Sequence, residues 1–138
     1  MNRLGFLTIV STSLLLVACG DAFSPGSVSG TYQLVSVDGN PLPYLETFIV
    51  DELAAGMTIN AASVTLNDDR TYSTSMRLDL MFGGVTESDT WTSSGTFTLE
   101  EPARIRFSDD IDDEQMSATL DGDRLTMIDE GASYVYER

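Results

Sequence analysis

Along most of the chain, hydrophobic and polar residues alternate with a period of two. The clearest run puts Tyr72, Thr74, Met76, Leu78, Leu80 and Phe82 on one face and Ser73, Ser75, Arg77 and Asp79 on the other. Such alternation is the mark of a strand with one buried face. The same period recurs at 62–66, 91–99, 105–107, 116–120, 125–127 and 134–136, and a first strand is predicted over 31–38. Over 44–56 the pattern is ambiguous, since Leu45, Phe48, Ile49 and Leu53 fit one helical face, while Phe48-Ile49-Val50 reads as a strand. The β-branched and aromatic content favours a strand over 44–50.

Turn-forming residues punctuate these runs: Asp38-Gly39-Asn40-Pro41, Asn67-Asp68-Asp69-Arg70, Gly83-Gly84, Asp121-Gly122-Asp123 and Glu130-Gly131. Connections this short force antiparallel pairing of neighbours. The reading is therefore all-β: an up-and-down antiparallel meander of eight or nine strands, closing into a small barrel that follows an N-terminal signal segment.

The first 18 residues break the pattern. Arg3 precedes an apolar run from Leu4 to Ala18 that ends at Cys19, the only cysteine. As a helix the run is about 22 Å long at ~1.5 Å per residue, short of a membrane core of about 30 Å. A positive residue followed by a short apolar stretch is the layout of an export signal. The residues Leu16-Val17-Ala18-Cys19 resemble the lipobox of bacterial lipoproteins, which implies lipidation of Cys19 as the new N-terminus and anchoring to the membrane by its acyl chains. Gly20 in the next position implies sorting to the outer membrane, facing the periplasm. The chain is thus divided into a signal peptide (1–18), a lipidated cysteine with a flexible tether rich in Gly and Ser (19–29), and a barrel domain (30–138).

Composition narrows the chemistry. Among 138 residues, 22 Asp and Glu face 7 basic residues, all of them Arg, and there is no His; the net charge is −15. So acidic a chain is a poor ligand for nucleic acid and is suited to a basic protein partner. Without His and with one Cys, the usual general base, the common zinc sites and an internal disulfide are absent. No Gly-x-Ser-x-Gly elbow or phosphate loop is present. The expectation is a non-enzymatic protein with no cofactor.

Two groups of residues remain as candidates for binding. Alternation turns Tyr72, Met76, Trp91, Phe97, Phe107, Met116, Met127 and Tyr134 inward, and this mix of aromatic and thioether side chains suits either a packed core or the lining of an apolar cleft. Ser93 and Gly95, on the Trp91 face, are small enough to leave space. The densest carboxylate run, Asp109, Asp110, Asp112, Asp113 and Glu114, is a candidate calcium ligand set, although it lacks the spacing of a calcium-binding loop and an acidic run between strands is usually just a solvated turn.

Taken together, Gly30-Thr31-Tyr32-Gln33-Leu34-Val35-Ser36-Val37-Asp38-Gly39-Asn40-Pro41-Leu42-Pro43, Ser94-Gly95-Thr96-Phe97, Asp121-Gly122-Asp123-Arg124-Leu125-Thr126 and Tyr134-Val135-Tyr136-Glu137-Arg138 resemble bacterial lipocalin-like lipoproteins. Tyr32 stands where the lipocalin family usually has Trp. The resemblance implies a lipocalin-like barrel held at the membrane through Cys19, with a small apolar ligand inside. The alternative is an acidic scaffold or interaction protein with a filled core and no ligand.

Overall fold

The computed structural model describes residues 28–110 and 115–138. Ten strands form one antiparallel sheet: β1 (Gly30–Val37), β2 (Asn40–Pro41), β3 (Tyr44–Val50), β4 (Leu53–Leu66), β5 (Thr71–Phe82), β6 (Val85–Glu100), β7 (Arg104–Asp109), β8 (Gln115–Asp121), β9 (Arg124–Asp129) and β10 (Ala132–Glu137). Eight of them close into a barrel in the order β1-β4-β5-β6-β7-β8-β9-β10, because β1 pairs with β10 on one side and with β4 on the other. β2 lies on β1 and β3 lies on β4, both outside the closed ring.

The predicted turns are where the chain reverses. Gly39, Gly83, Gly84, Gly122 and Gly131 all take positive φ, the backbone region that glycine enters without steric cost. The strands assigned from alternation are all present, including 44–50. β4, β5 and β6 are longer than predicted, at 14, 12 and 16 residues.

Their length has an architectural result. β1 pairs with β4 only from Gly30↔Leu66 to Gln33↔Ser63. Beyond that seam β4 loses β1 and, from Ile59 outward, takes β3 as partner (Tyr44↔Ile59 to Val50↔Leu53). A four-stranded extension, β3-β4-β5-β6, thus projects past the barrel by the seven residues from Leu53 to Ile59, about 20 Å at ~3.3 Å per residue. The change of partner is marked by a bulge at Asn60, between the pairs Ile59↔Leu78 and Ala61↔Arg77. There Asn60 Nδ2 donates to Asp79 Oδ2 at 2.9 Å, and Ser88 Oγ donates to Asp79 Oδ1 at 2.6 Å, joining three strands through one carboxylate. These two hydrogen bonds, Ser88 first, hold the Asp79 carboxyl below its ordinary value.

An aromatic core fills one end of the barrel, and wholly buried aliphatic side chains, Val37, Ile59 and Leu78, lie toward the other. Tyr32, Leu66, Tyr72, Phe97, Ile105, Phe107 and Leu125 are almost wholly buried. Tyr72 meets Phe107 edge-on at 4.9 Å, and Phe97 lies 6.4 Å from Phe107. Below them the Tyr32 hydroxyl donates to the Val28 carbonyl at 2.8 Å, while Arg70 stacks over Phe97 and Arg138 over Tyr32. The turns after β4, β6 and β8, with the entry to β1, make this the closed end. The opposite end opens toward the extension.

Candidate functional site: the open end of the barrel

Inward-facing positions can be followed row by row from the pairing. Ala62 lies opposite Met76, Val64 opposite Thr74, Phe107 opposite Met116, and Met127 opposite both Ala118 and Tyr134. Above the aromatic floor the inward rows include small and unbranched side chains, Ala62, Met76, Met116 and Met127, which leave part of the interior unfilled. What remains is a cavity of about 140 Å³ lined by Met76, Met116, Met127, Tyr134, Tyr136 and Asp129, with Ala62, Ser63, Val64, Thr74 and Ser75 on the β4–β5 wall. A void of about 150 Å³ with apolar walls accepts a benzene-sized body. Two other hollows, one beside Arg77 where β1 leaves β4 and one between Phe48 and Met81 on the extension, are open depressions of the surface.

The eight inward candidates separate by height along the barrel. Met76, Met116, Met127 and Tyr134 line the cavity. Tyr72, Phe97 and Phe107 form the packed floor beneath it. Trp91 lies on the same inward face but at the root of the extension, 50% exposed, with its indole N–H donating to Asp89 Oδ2 at 2.9 Å. The space expected at Gly95 does not exist. A Cβ there would fall 2.0 Å from the Ser108 carbonyl oxygen and 2.9 Å from the Tyr72 ring, so glycine at this position permits close approach of β6 to β7 and opens no cleft.

Tyr136, Asp129, Ala62, Val64 and Thr74 were not singled out from the sequence, yet the same alternation carries them. Tyr136 is two residues beyond Tyr134, and Asp129 two beyond Met127. Burial pushes the Tyr136 phenol up to about 12, with Tyr134 and Asp129 adding to the effect. The Tyr134 phenol is raised first by burial and then by the negative charge of Asp129, Glu46 and Asp38.

Of the acidic run, Asp109 closes β7 on an inward position and Asp110 follows it, its backbone N–H donating to the Ser94 carbonyl at 3.1 Å. Asp112, Asp113 and Glu114 lie outside the described residues, as does Cys19. Among the described residues no three carboxylate, Cys or His groups gather as a metal ion would require. No helix among them is long and apolar enough to cross a membrane.

On the extension, the face continuous with the barrel interior carries Phe48, Val50, Leu53, Phe82 and Val85, all exposed. No protein-family model, curated protein or solved structure matches the chain.

Proposed function

We propose that this protein is a non-enzymatic binding protein, held at the bacterial envelope by a lipidated Cys19, whose barrel takes a small apolar ligand into its open end. The cavity carries the proposal. It is walled by three thioethers and two phenols, side chains that are large and adaptable, and it lies above a floor of buried aromatic rings. At about 140 Å³ it suits one ring or a short branched alkyl group rather than a whole lipid chain. The anchor rests on Leu16-Val17-Ala18-Cys19 and on the apolar run before it. Such a tether would hold the protein at the outer membrane, facing the periplasm.

The test is native mass spectrometry of the full chain, extracted gently from membranes, beside an Ala62→Phe variant whose added ring fills the cavity. A stoichiometric adduct on the parent chain, lost on denaturation and missing from the variant, is the expected result. A clean mass in both, with no uptake of added toluene, would refute the cavity as a binding site. For the anchor, Cys19→Ala should leave the protein in the soluble fraction or unprocessed; unchanged mass and membrane partitioning would sink that part of the proposal.

The exposed apolar face of the extension favours a second reading, an interaction protein that meets its partner there. Substituting Phe48→Ser and Phe82→Ser together separates the two: ligand uptake persists under the first reading, whereas under the second only association with other proteins is lost.

A further inference from the structure

The ionic groups are sorted along the barrel. None of the six arginines among the described residues lines the cavity; the nearest, Arg77, follows the lining residue Met76 and borders the outer hollow that shares Ala62, Ser63 and Ser75 with it. Arg70, Arg104, Arg124 and Arg138 sit at the closed end, and Arg77 and Arg106 are on outward-facing rows. There they meet carboxylates: Arg138 with Asp123 at 2.5 Å, Arg124 with Glu137 at 2.9 Å and Arg106 with Glu100 at 2.9 Å. At the open end the strand termini and turns supply Asp38, Asp109, Asp110, Asp129 and Glu130, and the adjoining extension, over 44–59 and 78–91, contains six carboxylates and no basic residue.

Within this frame the cavity combines an apolar wall with two phenol rings and one carboxylate, Asp129, at its lip. An aromatic and thioether wall attracts a diffuse positive charge, by the negative faces of the rings. Carboxylates around a mouth of low dielectric focus a negative potential into it. The same field disfavours a carboxylate or phosphate head group.

We propose that the cavity selects an apolar cation, a quaternary ammonium or a protonated amine with a compact hydrocarbon shell, over neutral and anionic molecules of the same shape. The inference rests on the cavity being a ligand site, and it adds the sign of the charge. Asp129 is the counter-ion, Tyr134 and Tyr136 supply ring faces, and Met76, Met116 and Met127 enclose the hydrocarbon.

The probes are choline, its carbon isostere with a tert-butyl group in place of the trimethylammonium, and pivalate, each titrated into the full chain in a non-ionic detergent and followed by calorimetry. Choline should bind about tenfold more tightly than the isostere, and pivalate more weakly than either. The preference should shrink as salt rises from about 20 to about 500 mM. Asp129→Asn should bring choline down toward the isostere while leaving the isostere unchanged; Glu46→Gln, further out, should have a smaller effect in the same direction. Ala62→Phe should abolish binding of both. Circular dichroism checks that each variant keeps its sheet.

An isostere that binds as tightly as choline, and still loses binding in Ala62→Phe, would overturn the cation preference and leave the cavity reading in place. Choline binding that survives Ala62→Phe would place the cation elsewhere and overturn the inference. If neither choline nor the isostere binds, the cavity reading falls and the inference with it.

Discussion

Replacing Gly95 with Ala tests the packing logic of the barrel at one atom. The new Cβ would lie 2.0 Å from the Ser108 carbonyl oxygen, where contacts under 3.0 Å essentially never occur, so β7 would have to retreat by about 1 Å. It has no room to do so cheaply. Ser108 is on a strand registered to β6 through Phe97↔Phe107 and Thr96↔Ser108, and the second clash, with Tyr72 at 2.9 Å, meets a ring already wedged against Phe107. Overpacking a core costs about 1–3 kcal/mol when side chains can adjust. Here backbone must move, and about 3 kcal/mol is the lower end of what is expected. For a domain of this size that lowers Tm by about 12 °C at roughly 4 °C per kcal/mol. Differential scanning calorimetry of Gly95→Ala, with the exposed neighbour Ser94→Ala as control, measures it; the control should stay within about 0.5 kcal/mol. A fall below about 3 °C, with the sheet spectrum unchanged, would refute the tight β6–β7 approach.

Three further outcomes follow from burial and hydrogen bonding. Phe107→Ala, in the floor, should cost about 3–5 kcal/mol, whereas Trp91→Phe, at a half-exposed position, should cost under about 1 kcal/mol; chemical denaturation compares them, and equal losses would contradict the placement. The Tyr136 phenol, raised to about 12 from 10.0, contributes stability that is complete below pH 10 and is lost as pH climbs toward 12; in ultraviolet titration, where burial also delays Tyr32, Tyr72 and Tyr134, the last tyrosinate to form should be the one missing in Tyr136→Phe. Asp79 has the opposite sign: its lowered carboxyl contributes above the ordinary carboxylate range and is lost as pH falls through it. Hydrogen exchange should therefore show the extension loosening in acid before the barrel does, and uniform loosening would count against the Asn60–Asp79–Ser88 link.

Much of the fold was legible because alternation and turns are local. Gly83-Gly84 lies between two strands whose inward rows can be read residue by residue, and Tyr72 to Phe82 needed no tertiary information. The ends of the long strands were not legible. Val85 to Thr90 carries Thr86, Glu87, Ser88 and Asp89 on alternating faces with nothing to bury, so only pairing with β5 makes it a strand. The dual partnership of β1, with β10 and β4, joins residues about a hundred apart in one direction and about thirty in the other. Of the candidate site, alternation identified which side chains point inward but gave no height along the axis. That depends on strand tilt and stagger, which no single strand encodes. Met76 and Tyr72 stand four residues apart on one face of β5, yet one borders the cavity and the other is in the floor.

Height along the axis also decides how the site would face a membrane. Gly30 enters the barrel opposite Leu66, at the closed end, where Arg138 donates to the Ser29 carbonyl at 2.7 Å and fixes the point at which the preceding chain arrives. On the proposed anchoring at Cys19, the ten residues before Gly30 reach about 35 Å at most. β4 alone, 14 residues long, carries the tip of the extension about 45 Å from that entry point. An upright barrel would therefore turn its closed end to the bilayer and hold the cavity and the extension away from it. The carboxylates of the open end would then stand beyond a Debye length of about 8 Å from anionic head groups, free of their field and facing the aqueous compartment. A ligand would accordingly enter from solution, and the exposed Phe48 and Phe82 would be presented to soluble or opposing partners. Protease accessibility of the Asp51-Glu52 turn in the membrane-bound protein checks the orientation: it should be cut as readily as in detergent, and protection on the membrane would mean that the barrel lies on its side with the extension against the lipid.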